Sequence, residues 1–172
     1  MKHLVVSTLF AGLICASSAH AAPPAARYSP FYLGAGLSDN SVSGWGNATG
    51  FQLFGGYDFG RINARARTPI DFALEAGYMN SGDFQRLQDT PGGPIIVSSR
   101  YQGPWVNGVF SLPVNREVSL LGRVGVDLGD DSGLMGGLGV GINLNRQAQV
   151  RFEYVTRQTV DSLQANLIFY PD

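Results

Sequence analysis

Residues 134–144 read LMGGLGVGINL, and this stretch decides the fold class. From Gly137 to Leu144, large aliphatic residues alternate with glycine or asparagine, so one face of the segment is apolar and the other is small. A repeat of two residues is the periodicity of a β-strand, whose successive side chains point to opposite faces of a sheet. The segment is therefore predicted to be a strand with one face in an apolar environment.

Seven other segments show the same alternation, so the chain is predicted to be all-β. The eight predicted strands cover residues 31–38, 50–59, 70–79, 102–112, 118–127, 134–144, 148–156 and 162–170. Tight turns at 113–116 and 145–146 alternate with longer connections at 39–49, 80–101 and 129–133. Short turns at one rim and longer loops at the other are typical of an antiparallel, up-and-down transmembrane β-barrel of the outer membrane.

The first 21 residues have the pattern of a secretory signal peptide. Lys2 gives a positive start, residues 4–15 are apolar, and Ala19-His20-Ala21 has the small residues of a cleavage site. We expect residues 1–21 to be a cleaved signal peptide and residues 22–172 to form a single barrel domain. Such a signal implies export from the cytoplasm.

Residues 22–172 contain no Cys, His or Lys. Without these side chains the domain lacks a Ser-His-Asp triad, a cysteine nucleophile, a thiolate zinc site and a Schiff-base lysine. The full chain has a formal net charge of −1, so no basic field is available to attract nucleic acid. We therefore expect a binding protein rather than an enzyme, with no cofactor and no bound metal.

Three features predict that the apolar faces point outward to lipid. The opposite faces hold many glycines, which suit the narrow interior of an eight-stranded barrel. Those faces also carry charges of both signs, which can neutralise one another across a lumen. This predicted charge network consists of Glu75, Arg123, Asp127, Arg151 and Glu153. A soluble periplasmic ligand-binding barrel, with its apolar faces inside, is the alternative arrangement.

The third feature is the position of aromatic residues on the apolar faces. They lie near strand ends, where rings form the two interfacial girdles of outer-membrane barrels. The predicted girdle residues are Phe31, Tyr57, Phe59, Tyr78, Tyr154 and Phe169.

Several short segments together point to a known family. In chain order they are 31–36 (FYLGAG), 55–58 (GGYD), 75–78 (EAGY), 111–114 (SLPV), 122–125 (GRVG) and 151–154 (RFEY). With these segments the chain resembles the transmembrane domain of outer-membrane protein A and related small bacterial outer-membrane β-barrel proteins, over nearly all of residues 28–170. The resemblance implies a bacterial outer-membrane location, contact with outer-membrane lipid and lipopolysaccharide, and assembly by the barrel-insertion machinery.

The resemblance also implies roles for single residues. Positions that match Glu75 and Arg151 belong to an internal ion-pair network in that family, and Arg123 matches another inward site. The family's C-terminal strand usually ends on Phe, whereas Phe169 is followed here by Tyr170-Pro171-Asp172. This departure puts the efficiency of the insertion signal in question.

The longer connections contain candidate contacts for a cation or a surface ligand. These candidates are Asp39, Asp83, Asp89, Asp130 and Asp131. Carboxylate oxygens suit divalent cations shared with lipopolysaccharide, but the aspartates have no fixed ligand spacing and also fit solvated loop charge. Arg86, Arg100 and Arg157 are expected among them. Adhesion or ligand contact is expected in the 80–101 connection and around Trp45.

We therefore expect a structural and surface-interaction role, through envelope integrity, loop-mediated binding or adhesion. The interior of an eight-stranded barrel is just filled by side chains, so the charge network is expected to close the lumen. A narrow passive pore for small solutes is the alternative. A lipid-modifying outer-membrane enzyme is less favoured, because such families use a site that contains His.

Overall fold

The computed structural model describes residues 29–62, 69–91 and 93–172. Within these ranges, eight antiparallel strands form a closed barrel, which confirms the predicted fold class. The strands are β1 (Phe31–Val42), β2 (Gly46–Arg61), β3 (Asp71–Thr90), β4 (Gly93–Pro113), β5 (Val118–Asp127), β6 (Gly133–Asn143), β7 (Ala148–Thr156) and β8 (Val160–Phe169). In the same ranges, no helix has the length and apolar character needed to cross a bilayer. The predicted signal peptide, residues 1–21, lies outside the described residues.

The strands follow one another around the barrel, and β8 pairs with β1 to close it. If the paired residues are followed from Phe31 strand by strand around the wall, the path returns to β1 at Ser41. The strands are therefore staggered by ten residues over one circuit of the barrel. In closed barrels such a stagger accompanies strands tilted by about 35–45° from the axis. Because the ring is closed, the wall has no free edge and its backbone groups are paired internally, as a hydrocarbon surrounding requires.

Two short turns determine where β5 and β7 begin. At each turn the side-chain oxygen of an asparagine, Asn115 or Asn145, accepts hydrogen bonds from the backbone N–H groups two and three residues later. Asparagine commonly stabilises turns in this way. The two strands therefore have the bounds predicted from the sequence, 118–127 and 148–156. We call the rim that carries these turns the periplasmic rim and the opposite one the outer rim.

At the outer rim the strands are longer than predicted, and the expected loop at 80–101 is wrong. Beyond a register shift between Asn80 and Asp83, β3 and β4 continue as an antiparallel hairpin, paired as far as Thr90 and Gly93. The prediction failed because backbone hydrogen bonds do not require apolar alternation, and polar side chains conceal the strand period. The 39–49 connection is also mostly hairpin. We call residues 83–100 the outer hairpin.

The two faces of the wall have the predicted orientation. The predicted apolar faces point outward, and Leu134 and Leu138 on β6 are each 74% exposed. Glu75 and Glu153 face inward and are buried. An outward apolar band around a polar interior is the arrangement of an outer-membrane barrel, and the reverse of a soluble one.

Candidate functional site in the lumen and at the outer rim

The glycines of β6 make room for the long polar side chains of the neighbouring strands. Around the inward positions Gly137, Gly139 and Gly141, a Cβ atom would overlap Arg123 of β5 and Glu153 and Gln149 of β7. The stretch that decides the fold class therefore also shapes the lumen. An eight-stranded barrel has little interior volume, so three successive inward positions without side chains allow the neighbouring strands' side chains to reach across.

Four of the five predicted network residues meet in the centre of the lumen. Glu75 accepts hydrogen bonds from Arg151 Nη1 at 2.5 Å and from the Tyr32 hydroxyl at 2.7 Å. Arg123 Nη2 lies 2.8 Å from Glu153 and 3.4 Å from Glu75. The cluster thus contains two arginines and two glutamates, all buried, with no net formal charge. Mutual pairing of this kind is what permits charges in a low-dielectric interior.

Uncharged side chains extend the cluster. Asn166 donates to Glu153 at 2.8 Å, and Gln52 donates to Asn166 at 2.7 Å. Gln149 accepts a hydrogen bond from Arg151 Nε at 2.7 Å. These amides add hydrogen bonds to Glu153 and Arg151, so the network extends across the lumen.

Inward aromatic rings fill the space beside the ion pairs. The ring of Tyr32 lies over Gly56, and the ring of Trp105 lies beside Gly77, so that a Cβ atom at either glycine would overlap the ring. The guanidinium of Arg151 lies 5.5 Å from the Tyr32 ring centroid, and that of Arg123 lies 5.8 Å from the Trp105 centroid. Both are within the range of a cation–π contact. The two-residue period predicts that these rings point inward, but it does not predict that each ring lies against a glycine.

Asp127 does not join the central cluster, which corrects the predicted network. It lies nearer the outer rim and accepts a hydrogen bond from Arg157 Nε at 3.1 Å. Arg157, expected among solvated loop charges, is buried and also donates to Ser162 at 3.0 Å. The turn between β7 and β8 is short enough for the arginine at its start to fold inward. The Asp127–Arg157 ion pair thus lies nearer the outer rim than the central cluster of ion pairs.

The five outer aspartates are dispersed. Asp39 accepts a hydrogen bond from Asn47, and Asp130 accepts one from the backbone N–H of Gln102. Asp131 is buried and accepts hydrogen bonds from the backbone N–H groups of Thr159 and Val160. Asp83 pairs with Arg100, and Asp89 lies near the tip of the outer hairpin. Across the described parts of the chain, no three His, Cys, Asp or Glu side chains are grouped to hold a metal ion. The structure therefore does not assemble these aspartates into a shared cation site.

A bidentate ion pair lies at the base of the outer hairpin. Arg100 donates to the two carboxylate oxygens of Asp83 at 2.8 and 2.7 Å, and both side chains are exposed. The hydrogen bonds from Arg100 hold the pKa of the Asp83 carboxyl below its ordinary value. The pair is therefore charged at neutral pH, although exposed ion pairs contribute little to stability.

An apolar cluster lies at the outer mouth of the barrel. Phe84 is fully buried there and packs with Val42, Ala48 and Val160, against the half-buried Trp45 and Tyr101. The alternation pattern does not predict this cluster, because Phe84 lies in the segment interpreted as a loop. An isolated phenylalanine in a polar stretch was the available signal, since large apolar side chains are seldom left in solvent.

The six predicted girdle residues all point outward. Phe31, Tyr57, Phe59 and Phe169 lie towards the periplasmic rim, and Tyr78 and Tyr154 lie in the outer half. The periplasmic rings form a chain of contacts that also includes Phe72 and Phe110, which the prediction omitted. This chain covers β1 to β4 only.

Comparison with known proteins gives one family and several related structures. The sequence profile of the outer membrane protein beta-barrel domain matches residues 9–167. A de novo designed transmembrane β-barrel superposes with a TM-score of 0.51 at 13% identity, covering 84% of this chain and 98% of that chain. No curated protein sequence matches the chain.

Two natural barrels resemble the chain more distantly. Ail, the attachment invasion locus protein of Yersinia pestis, in complex with the heparin analogue sucrose octasulfate, gives a TM-score of 0.49 at 16% identity, covering 83% of this chain and 96% of that chain. Neisserial surface protein A gives 0.35 at 15% identity, covering 83% and 98%.

The family profile covers most of the chain, and the closed barrel with its outward apolar band has the architecture that this family requires. The chain therefore belongs to the outer membrane protein β-barrel domain family, and the protein is located in the bacterial outer membrane.

Proposed function

We propose that this protein acts at the cell surface by binding a polypeptide partner through its outer hairpin, and that its lumen is closed. Pairing of β3 with β2 ends at Asn80, and pairing of β4 with β5 ends at Trp105. The hairpin continues eight residues along β3 beyond the register shift, which at the rise of a β-strand is a reach of about 25 Å. This projection is the observation that carries the proposal.

The outer hairpin has the properties of a peptide-binding element. Leu87 and Ile96 are cross-strand partners on one face, 72% and 67% exposed, and Ile95 is exposed on the other face. Neither edge has a strand partner among the described residues, so its backbone groups are available for an added strand. Strand addition combines backbone hydrogen bonds with pockets for alternate side chains, which suits an extended peptide.

The charge of the outer rim narrows the partner class. Exposed carboxylates outnumber exposed arginines there, and one of the two arginines of the outer hairpin, Arg100, is already paired with Asp83. Such a surface repels polyanions and favours neutral or basic segments. The other expected partners are the surrounding lipid and lipopolysaccharide and, during assembly, the barrel-insertion machinery. The proposed role is binding without catalysis.

Substitution of the exposed apolar pair tests the hairpin role. We expect Leu87→Ser with Ile96→Ser to reduce attachment by about tenfold or more, because apolar contacts at the centre of an interface contribute about 1–2 kcal/mol each. Attachment is measured with a non-adherent bacterial strain that expresses the protein, on epithelial cell layers and on immobilised extracellular-matrix protein.

The neighbouring polar pair provides the control. Gln85 and Ser98 are cross-strand partners on the same face of the hairpin, so Gln85→Ala with Ser98→Ala is expected to keep attachment at the wild-type level. Heat-modifiable gel mobility establishes that all variants are folded. Full attachment by the serine variant, or wild-type attachment no greater than that of the empty strain, contradicts the proposal.

A conductance measurement tests the closed lumen. Three layers support closure: the apolar cluster around Phe84, the Asp127–Arg157 pair and the central ion pairs. We expect no sustained current from the wild-type protein in planar bilayers, and none after Arg123→Ala, because the layer around Phe84 remains. A steady wild-type current favours the alternative function, a narrow passive pore for small solutes.

A further inference from the structure

Tyr170, the first residue after β8, does not lie on the outside of the barrel. Phe169 points outward at the end of β8, and the next side chain, that of Tyr170, turns into the lumen and is 1% exposed. The resemblance to outer-membrane barrels implied a final strand that ends on an outward phenylalanine. Here Phe169 has that outward position, and Tyr170 follows it with an inward side chain.

Two hydrogen bonds fasten the segment 170–172 to the turn between β6 and β7. The backbone N–H of Tyr170 donates to the carbonyl oxygen of Gln147 at 2.7 Å. The Gln147 side chain donates back to Asp172 at 2.5 Å. Gln147 therefore holds the segment on both sides of Pro171, which itself has no N–H to offer.

The ring of Tyr170 lies directly below the central ion pairs. Its centroid is 5.0 Å from that of Tyr32, whose hydroxyl donates to Glu75. Tyr32 in turn rests on Gly56, where no side chain competes for the space. The two tyrosine rings, inclined at 45° to each other, lie between the periplasmic mouth and the charge network, and both are buried.

Beside Tyr170, at the periplasmic end of the barrel, there is a small cavity. Ala73, Ser119, Gln149 and Arg151 are among its lining residues, and Tyr170 forms part of its wall. Its volume is about 20 Å³, enough for one water molecule. Among the described residues that line this cavity, Tyr170 is the one buried aromatic side chain, so loss of its ring is expected to widen the opening towards the periplasm.

We propose that Tyr170 is a plug that seals the periplasmic mouth of the barrel, with Gln147 and Asp172 as its latch. The plug requires both the β6–β7 turn and the end of β8, so it is completed only when the barrel is assembled. It is separate from the outer hairpin and lies below the ion pairs, so it adds a closure that the central network does not provide.

Thiol accessibility at the cavity tests the plug. Residues 22–172 contain no cysteine, so Ala73→Cys introduces a single buried reporter in the wall of the cavity beside Tyr170. The protein is reconstituted in lipid nanodiscs and treated with a small charged methanethiosulfonate reagent. We expect slow modification when Tyr170 is intact or replaced by Phe, and modification at least tenfold faster after Tyr170→Ala.

A second reporter separates loss of the plug from general loosening or from an open lumen. Ser38 is buried in the lumen on the outer side of the ion pairs, and Ser38→Cys is expected to stay unreactive in the Tyr170→Ala protein. A fast reaction at both reporters would mean that the barrel has loosened or that its central closure fails, and it would overturn the assignment of Tyr170 as the seal. Equal modification rates of Ala73→Cys in the proteins with Tyr, Phe or Ala at position 170 would also overturn the assignment.

The latch offers a test if Tyr170→Ala does not fold. Gln147→Ala removes the hydrogen bond to Asp172 and leaves the ring in place. We expect it to raise the rate at Ala73→Cys several-fold while gel mobility stays that of a folded barrel. An unchanged rate in that folded variant overturns the proposal.

Discussion

Replacing Glu75 with glutamine is expected to destabilise the folded barrel by about 3–5 kcal/mol, the usual cost of breaking a buried ion pair. Glutamine keeps the size of the side chain but leaves two arginines, Arg123 and Arg151, facing the single carboxylate of Glu153. The side chains of Glu75 and Arg151 are 0% and 5% exposed, so water cannot replace the lost partner. Equilibrium urea unfolding in lipid vesicles, followed by tryptophan fluorescence, measures the loss.

A compensating double variant is the control for this prediction. Glu75→Gln with Arg151→Gln returns the cluster to one arginine and one glutamate, and removing charges of both signs together is often nearly neutral. We therefore expect the double variant to be more stable than Glu75→Gln alone, with a favourable coupling energy in the double-mutant cycle. A single variant within 1 kcal/mol of wild type, or a double variant less stable than both singles, contradicts the ion-pair interpretation.

The second large effect is expected on the outside of the barrel. Leu138→Arg places a charge at mid-height on the lipid-facing side of β6, where such a residue destabilises barrels by about 2–4 kcal/mol. The same unfolding assay in vesicles measures it. The size of the loss reports that Leu138 contacts hydrocarbon rather than water.

The control for Leu138 lies on the same strand at another depth. Leu134 has the same 74% exposure but stands at the outer end of β6, one residue after the strand begins at Gly133. Because the cost of arginine falls to about 0–1 kcal/mol near the interface, Leu134→Arg is expected to be tolerated. Equal costs at both positions, or none at Leu138, are incompatible with the assigned membrane orientation.

Strand alternation made most of the wall predictable. The bounds of β5 and β7 follow directly from it because each strand starts at an asparagine turn and alternates without interruption. The outer hairpin was not predictable in this way. Its strands are held by backbone pairing outside the bilayer, where neither face needs to be apolar, so the pattern that identifies a membrane strand is absent.

The candidate site was predictable to a different degree. Parity placed Glu75, Arg123, Arg151 and Glu153 inward, because a charge on the other face would meet lipid. The two-residue period does not predict which of these charged side chains form ion pairs with one another. The pairing of Asp127 with Arg157 depends on the path of the β7–β8 turn, which a period of two residues does not encode.

The position of Tyr170 was beyond the pattern for a related reason. Strand parity assigns an inward direction to a residue after Phe169, but not the contact with Tyr32 that makes it part of the interior. That contact depends on the stagger of the barrel, which brings the end of β8 beside the start of β1.

The chain of rings along β1 to β4 makes the molecule unequal around its circumference. Aromatic side chains form the interfacial girdles of outer-membrane barrels, whereas the aliphatic residues at the same level of β5 to β7 do not mark the interface. The side of the barrel with these rings, the ringed half, therefore sets the depth of the protein in the bilayer. The depth of the aliphatic half is set by that of the ringed half. When the bilayer becomes thinner or thicker, the barrel adapts by tilting about the ringed half as a pivot.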